Sequence, residues 1–324
     1  MLYQYKIVRP IQVLDGEGEI IFIQEDVKEK CVVCVHLQAS LQKRFSADNL
    51  VTFFCLSLFI RTFAKHNPNT ITMKFIGIIP ARYASTRFPA KPLAVLGGKP
   101  VIQRVYEQVS GILDETYVAT DDERIESAVK AFGGKVVMTS VHHKSGTDRC
   151  YEAYTKVGRG YDVVVNIQGD EPFIQKSQLE AVKACFEDPA TQIATLVKPF
   201  IPDDGLEALE NVNSPKVVVG KNMNALYFSR SIIPFQRNVE KEGWLKGHTY
   251  YKHIGLYAYR ADVLKEITSL PQSSLELAES LEQLRWLENG YTIKVGISEV
   301  ETIGIDTPQD LARAEAFLKQ REGE

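Results

Sequence analysis

Several common signatures are missing from this chain. Cysteine is scarce: the 324 residues hold five, Cys31, Cys34, Cys55, Cys150 and Cys185. An odd count without regular spacing gives no disulfide framework. With no secretory pattern at the start, the setting read from the sequence is reducing and cytoplasmic. Cys31 and Cys34 form a lone CxxC with no second ligand pair nearby. A redox or zinc role for them competes with the plainer reading of a small apolar pair in a strand. Long hydrophobic runs are absent too. Leu50 to Ile60 (LVTFFCLSLFI) is too short to span a bilayer and too far from the start for an ordinary signal peptide. Neither sign of charge dominates: 38 Lys and Arg stand against 41 Asp and Glu, a formal net charge of -3. Bulk electrostatics therefore argue for neither nucleic acid nor a membrane as partner. There is no GxGxxG and no Walker lysine, so dinucleotide and P-loop chemistry are not indicated. No internal repeat or low-complexity segment occurs.

What is present begins near Met73. Before it the hydrophobic pattern is poor, and His66-Asn67-Pro68-Asn69-Thr70 reads as a linker. Residues 1–72 are therefore expected to be an extension outside the functional unit, such as a stretch translated from a wrongly chosen start. The alternative is a small regulatory domain. From Met73 on, apolar strands and amphipathic helices alternate. Phe75 to Ile79 is a continuous apolar run closed by Pro80, as suits a parallel strand buried on both faces. Pro100 opens a helix with Val101, Val105, Val109 and Ile112 on one stripe. Tyr117 to Ala119 reads as a strand, and Asp122 caps the next helix, which ends at Gly133-Gly134. Lys135 to Met138 is a strand, Thr147 to Val157 a helix, and Tyr161 to Ile167 another buried strand. Ser177 to Glu180 has the form of a capping box. This βαβα series predicts an α/β fold with a mostly parallel central sheet and helices on both faces. After Thr191 the rhythm changes. Strands at 192–197, 216–220, 224–229 and 251–259 predict a mixed extension of the sheet, with a substrate or dimer subdomain over about 200–260. A helical stripe returns at Leu277, Leu281, Leu284 and Leu287, and a last helix starts at Thr307-Pro308.

The segment Pro80 to Leu93 (PARYASTRFPAKPL) carries the chemistry. It follows a buried strand, and in open α/β sheets ligands bind at the carboxyl ends of strands. Arg82, Arg87 and Lys91 sit among Pro80, Pro89 and Pro92. A stiff loop with planar paired donors and one compact charge suits a triphosphate, and fixed cations stabilise the charge gathered at an α-phosphate in its transition state. The alternative, a solvated surface loop, fits poorly with three cations among three prolines. Asn166-Ile167-Gln168-Gly169-Asp170-Glu171-Pro172 follows the strand at 161–167, so Asp170 reaches the same edge. Gly304-Ile305-Asp306-Thr307-Pro308 supplies a second carboxylate, after an expected strand end at 301–305. Asp170 taken alone is equally an aspartate in a turn, and Asp306 an acid at a helix start. If both face one edge, they can share a hard dication with nucleotide oxygens. His142-His143 has no third ligand in register, so 142–149 reads as a loop shaping a base and ribose pocket, with Arg149 as a contact. No Ser/His/Asp constellation is evident.

The loop 80–93, Ser145 to Arg149 (SGTDR), Asn166 to Pro172 (NIQGDEP) and Gly304 to Asp310 (GIDTPQD) resemble the 3-deoxy-manno-octulosonate cytidylyltransferases, the CMP-KDO synthetases of bacteria with lipopolysaccharide. So do Tyr227 to Arg230, Lys252 to Arg260 and Leu281 to Arg285, in collinear order over about 73–320. The resemblance implies a Rossmann-like nucleotide-diphospho-sugar transferase fold, a homodimer and Mg2+. It implies transfer of CMP from CTP to 3-deoxy-D-manno-octulosonate (KDO) with release of pyrophosphate, for lipopolysaccharide synthesis. The anomeric hydroxyl of KDO would attack the α-phosphate. By that resemblance Arg82, Ser85, Arg87, Lys91, Arg149 and Gln168 bind CTP. Arg82, Lys91 and Asp170 are catalytic, and Asp170 and Asp306 hold the metal. Arg230, His253, Tyr257, Glu282 and Gln283 meet the sugar acid. Read without the family, His253 is a satisfied core histidine, and Glu282 and Gln283 are a solvated helix face. Ser273-Ser274-Leu275-Glu276 departs from an expected Ser-Pro-Leu-Glu, and Ala278 from a bulkier residue.

Two other readings compete. One is a cytidylyltransferase for another acidic sugar, such as a nonulosonate. The other is a non-catalytic nucleotide sensor, which would not need Lys91, Asp170 and Asp306 together. Expression of residues 73–324 alone should yield a folded, active protein; an insoluble or inactive product would count against the extension reading.

Overall fold

The structure is a computed structural model that describes residues 11–14, 20–23, 73–84, 87–158, 160–300 and 303–322. The chain divides into two compact units, Met1–Ile71 and Thr72–Glu324. In the first, the described part is an antiparallel pair, β1 (Ile11–Leu14) and β2 (Ile20–Ile23). The CxxC pair, Leu50 to Ile60 and the linker at 66–70 lie outside the described residues.

The second unit is built on a large sheet. Its first strand, β3 (Phe75–Ala81), is the predicted apolar run. A hairpin of β4 (Val95–Leu96) and β5 (Lys99–Pro100) follows. Then come β6 (Glu115–Thr120), β7 (Val136–Met138) and β8 (Val163–Asn166). Strands β3, β6, β7 and β8 are parallel neighbours, in the order β8-β3-β6-β7. The later strands make the mixed half: β9 (Ile193–Pro199), β10 (Lys216–Val219), β11 (Ala225–Ser229), β12 (Tyr251–Arg260) and β13 (Ile293–Ile297). The long strand β12 runs antiparallel to β8, β9 and β10, and β13 pairs parallel with β9. The sheet is thus parallel on one side and mixed on the other, as predicted.

Side-chain alternation divides the interior into two cores, one on each face of the sheet. Phe75, Ile79 and Ala81 of β3, with Val163 and Val165 of β8, join one core. Ile76 and Ile78, with Val164, join the other. Both faces are covered, which is why these strands read as unbroken apolar runs. Helix Val101–Val109 buries Val101, Ile102, Val105 and Val109 in the first core. Helix Gly146–Val157 buries Cys150, Ala153 and Tyr154 in the second. Segments on either side of β10 and β11 form a small satellite core of Phe200, Leu209, Trp244 and Tyr250, within the predicted subdomain range. Among the described residues no helix is long and apolar enough to cross a membrane.

Four local expectations need correction. Helix Lys176–Ala184 starts before Ser177: the Gln178 side chain accepts from the Gln175 N–H at 3.0 Å, so the cap lies two residues earlier than the Ser177 box. The leucine stripe at 277–287 is two short helices, Ser274–Glu279 and Gln283–Glu288, parted by Ser280 in the left-handed conformation (φ 51°). Leu277 is accordingly 62% exposed rather than inside. Ile112 lies beyond the end of the helix that was to carry it. Residues 303–305 are not a strand; they form an extended link held by other means.

The turn after β8 depends on Gly169. A Cβ there would meet the Pro80 carbonyl oxygen at 2.8 Å, and backbone cannot swing aside as a side chain can. Gly169→Ala should therefore lower stability by about 1–3 kcal/mol in urea unfolding through forced backbone displacement; unchanged stability would show that the close approach is not required.

Candidate active site

The loop that leaves β3 is pinned at several points. Ala90 adopts a left-handed conformation (φ 60°, ψ 18°) that costs a non-glycine residue roughly 1–2 kcal/mol. Its N–H donates to the Tyr83 carbonyl at 2.9 Å, and its own carbonyl accepts from Leu93 N at 2.8 Å. The Arg124 guanidinium lies 3.3 Å over the Tyr83 ring, an arrangement worth about 0.5–1 kcal/mol at an exposed site. Together these contacts hold the short helix Lys91–Leu93 against the sheet edge, with Pro92 buried. Arg82 and Arg87 remain exposed on the loop. Ser85 lies outside the described residues.

Lys91 is the centre of this edge. Its Nζ donates to Asp170 Oδ2 at 2.5 Å and to Asp306 Oδ1 at 3.1 Å. Burial disfavours the ammonium, but the Asp170 charge and the hydrogen bonds with Asp170 and Asp306 outweigh it, so the pKa of Lys91 stands above the ordinary lysine value. The side chain is 15% exposed. Asp170 arrives on the turn after β8. Asp306 arrives on the extended link, where Ile305 is buried and its N–H donates to the Asp170 carbonyl at 2.9 Å. That single backbone bond does what the expected strand at 301–305 was to do. Asp310 then fixes the turn: its Oδ2 accepts from the N–H groups of Asp306 and Thr307, at 3.0 and 2.8 Å, and opens helix Pro308–Glu322. Arg87 reaches Asp306 at 3.2 Å with both side chains largely in water; such a pair contributes little.

The two carboxylates thus converge on one cation, while no group of three metal-ligating side chains occurs among the described residues. A pair of carboxylates with open positions is what a dication that also takes phosphate oxygens and water requires. The donor set present fits such an ion.

Next to this edge lies a second polar cluster, between β8, β12 and the start of helix Gln283–Glu288. Ser145 caps helix Gly146–Val157 by accepting from Asp148 N at 3.1 Å. The following Thr147 hydroxyl donates to Glu282 Oε2 at 2.7 Å. Burial raises the pKa of Glu282 above the usual carboxylate value, against the hydrogen bonds from Thr147 and Ser145. Arg285 stands 3.9 Å from Glu282 and grips Glu276 with two hydrogen bonds of 2.8 and 2.5 Å. The buried hydroxyls of Tyr257 and Tyr259 have no partner at ordinary distance but face Thr195, and Thr147 with Asn166, respectively. Gln283 Nε2 is buried with no hydrogen-bond partner among the described residues. A buried polar atom left so costs about 1–3 kcal/mol unless a ligand or water meets it. Burial drives both tyrosine hydroxyls well above their ordinary pKa, and it pushes His253 down to about 3, which keeps the imidazole neutral. Gln168 joins the two halves, its Nε2 donating to the Gly255 carbonyl at 3.0 Å.

Two arginines sit differently from a free binding group. Arg149 is buried, with its guanidinium donating to Thr139 Oγ1 at 2.6 Å and Asp121 Oδ2 at 2.7 Å. Arg230 donates to the carbonyls of Val212, Glu279 and Ser280 at 2.9, 2.7 and 3.3 Å. Sequence reasoning missed Asp121, Thr147 and Thr195. Asp121 was marked by its place at the end of a strand and Thr147 by lying within the Ser145–Arg149 motif; nothing local marks Thr195.

The sequence pattern of the family described as cytidylyltransferase matches residues 76–297. The 3-deoxy-manno-octulosonate cytidylyltransferase of Bacteroides thetaiotaomicron is 84% identical over 249 residues, which cover 77% of this chain and 100% of that protein. The protein of the same name from Porphyromonas gingivalis is 57% identical over 246 residues, covering 76% of this chain and 97% of its own length. Among solved structures, a CMP:2-keto-3-deoxy-manno-octonic acid synthetase complexed with CTP aligns at a TM-score of 0.70 and 43% identity, over 76% of this chain and 99% of that one. With relatives this similar along their whole lengths, the chain belongs to the 3-deoxy-manno-octulosonate cytidylyltransferases of the cytidylyltransferase family.

Proposed function

We propose that this protein transfers CMP from CTP to KDO, releasing pyrophosphate, at the edge where Lys91, Asp170 and Asp306 meet. The observation that carries the catalytic reading is the convergence of Asp170 and Asp306 on one lysine ammonium beside an arginine-bearing loop. The triphosphate lies along Arg82, Ser85, Arg87 and Lys91. Arg149 and Gln168 serve the nucleotide, Arg149 from within its pair with Asp121. Asp170 and Asp306 hold Mg2+, which when bound neutralises phosphate charge and aligns the reacting oxygens. Lys91, kept charged by its two carboxylate partners, stabilises the charge that develops at the α-phosphate as the anomeric hydroxyl attacks. The sugar acid occupies the cluster of Arg230, His253, Tyr257, Glu282 and Gln283, where the buried Gln283 Nε2 has no protein partner among the described residues. Arg230 reaches it from a guanidinium already braced on three carbonyls.

The catalytic unit in this reading is residues 73–324, which the whole-length match of the relatives supports. Its 200–260 region serves substrate and dimer contacts. A homodimer would cover exposed apolar side chains such as Leu226 on the edge strand β11, at 62%, and Phe235 at 73%. Dependence on CTP fits a cytoplasmic setting.

Pyrophosphate release measured with CTP and a panel of sugar acids tests the reaction: KDO should turn over, and turnover with a nonulosonate but none with KDO would reject the sugar assignment. Asp170→Asn and Lys91→Ala should each lower kcat by about a hundredfold or more with circular dichroism unchanged. Near-normal turnover of the Asp170 variant would defeat the metal assignment.

A further inference from the structure

Thr195 lies on β9 and is fully buried. At hydrogen-bond distance its hydroxyl meets three groups: the Ile254 carbonyl at 3.1 Å, the Leu256 carbonyl at 3.0 Å and His253 Nε2 at 3.1 Å. The Tyr257 hydroxyl, a donor for its second lone pair, also faces it. All of them belong to β12, at the place where its register with β9 slips. Ile254 pairs with Leu196, and Tyr257 with the very next residue, Thr195, so Gly255 and Leu256 bulge out between them. A bulge disrupts the ladder locally, and the Thr195 hydroxyl meets the carbonyls on either side of Gly255.

The protonation pattern follows from what each group can do. A hydroxyl has one proton and two lone pairs, while a carbonyl only accepts. If the Thr195 proton pointed at His253, its lone pairs would face the Ile254 and Leu256 oxygens at hydrogen-bond distance with nothing between them. Directing the proton to the carbonyls removes that repulsion and leaves a lone pair for the imidazole. His253 Nε2 must then be the donor. The ring is held for this role by Phe228 and Tyr257, whose centroids lie 5.2 and 5.3 Å from its own. In a neutral imidazole with Nε2 protonated, Nδ1 is an acceptor. Nδ1 has no hydrogen-bond partner among the described residues, and the residue, though largely covered, is not sealed from solvent.

We propose that Thr195 is a positioning residue for the sugar pocket: its hydroxyl commits its proton to the bulge carbonyls and so holds His253 as the Nε2–H tautomer, presenting Nδ1 as an acceptor to a hydroxyl of the sugar acid. This rests on the sugar assignment made above. It assigns His253 to a neutral hydroxyl contact and leaves the sugar carboxylate to the cationic residues. Burial, which keeps His253 uncharged, agrees with that division.

The test uses the full chain as wild type, Thr195→Val, which keeps the shape and removes the hydroxyl, and Thr195→Ser, which restores it. Nitrogen NMR of 15N-histidine-labelled protein reads the tautomer without substrate, with the His253 signal assigned by its loss in His253→Gln. Wild type and Thr195→Ser should show protonated Nε2 and bare Nδ1, and Thr195→Val should lose that preference. In kinetics, Thr195→Val should raise KM for KDO by about tenfold, the scale of one neutral hydrogen bond, while KM for CTP stays within about twofold and Thr195→Ser recovers wild-type values. A protonated Nδ1 in the wild type overturns the proposal, as does a Thr195→Val protein with an unchanged tautomer or an unchanged KM for KDO. Should Thr195→Val not fold, the tautomers of wild type and Thr195→Ser decide. Because the NMR signal needs no substrate, failure of the tautomer lock and failure of the sugar assignment are read separately.

Discussion

The Lys91 ammonium, held between Asp170 and Asp306, is the contact on which the arrangement of the site depends. A largely buried cation is costly unless it is paired and hydrogen-bonded. This one satisfies both conditions with residues from separate parts of the chain. It binds the loop after β3, the turn after β8 and the link before the last helix into one edge. The exposed bridge from Arg87 to Asp306 adds little to that organisation, because water screens it. Neighbouring backbone does more. The bond from Ile305 N–H to the Asp170 carbonyl sets the two aspartates side by side, and Asp310 holds the turn that aims Asp306.

The sheet explains why this edge exists. Parallel strands β3 and β8 are adjacent and point the same way, β8 ending at Asn166 opposite Ile78 and β3 running on to Ala81, so the loops leaving them emerge at one edge. Two cores, one on each face, make those strands rigid. The buried polar cluster grows from the mixed half, where β12 runs against β8 and carries Tyr257 opposite Asn166. Gln168, donating to the bulged Gly255 carbonyl, ties the lysine-bearing edge to that cluster. The bulge in β12 is therefore shared by both, and Thr195 supports it from beneath.

What could be read from the residues had a local cause. The apolar runs of β3 and β8 announce strands covered on both faces, and Asp122 before an amphipathic stripe announces a capped helix, which the structure shows accepting from Arg124 N. A glycine before Asp170 is the residue type that permits a close backbone approach, and the Pro80 oxygen is what Gly169 approaches. The misplaced features gave way for different reasons. The Ser177 box, the leucine stripe at 277–287 and the strand at 301–305 were all drawn from local pattern. The first gave way to a competing local cap at Gln175, the second to a left-handed turn at Ser280, and only the third to a contact distant in sequence, the Ile305–Asp170 bond.

The order of residues alone determined the fold class, the basic loop, the two aspartates and the family they belong to, because hydrophobic period and short motifs depend only on neighbours along the chain. Which donors are already engaged was decided by the tertiary structure. It put Arg149 on Asp121, turned Arg230 to three carbonyls and set Thr195 beneath His253. Those pairings join residues far apart in sequence, and a hydrogen bond is set by distance and direction in space, neither of which one-dimensional spacing carries.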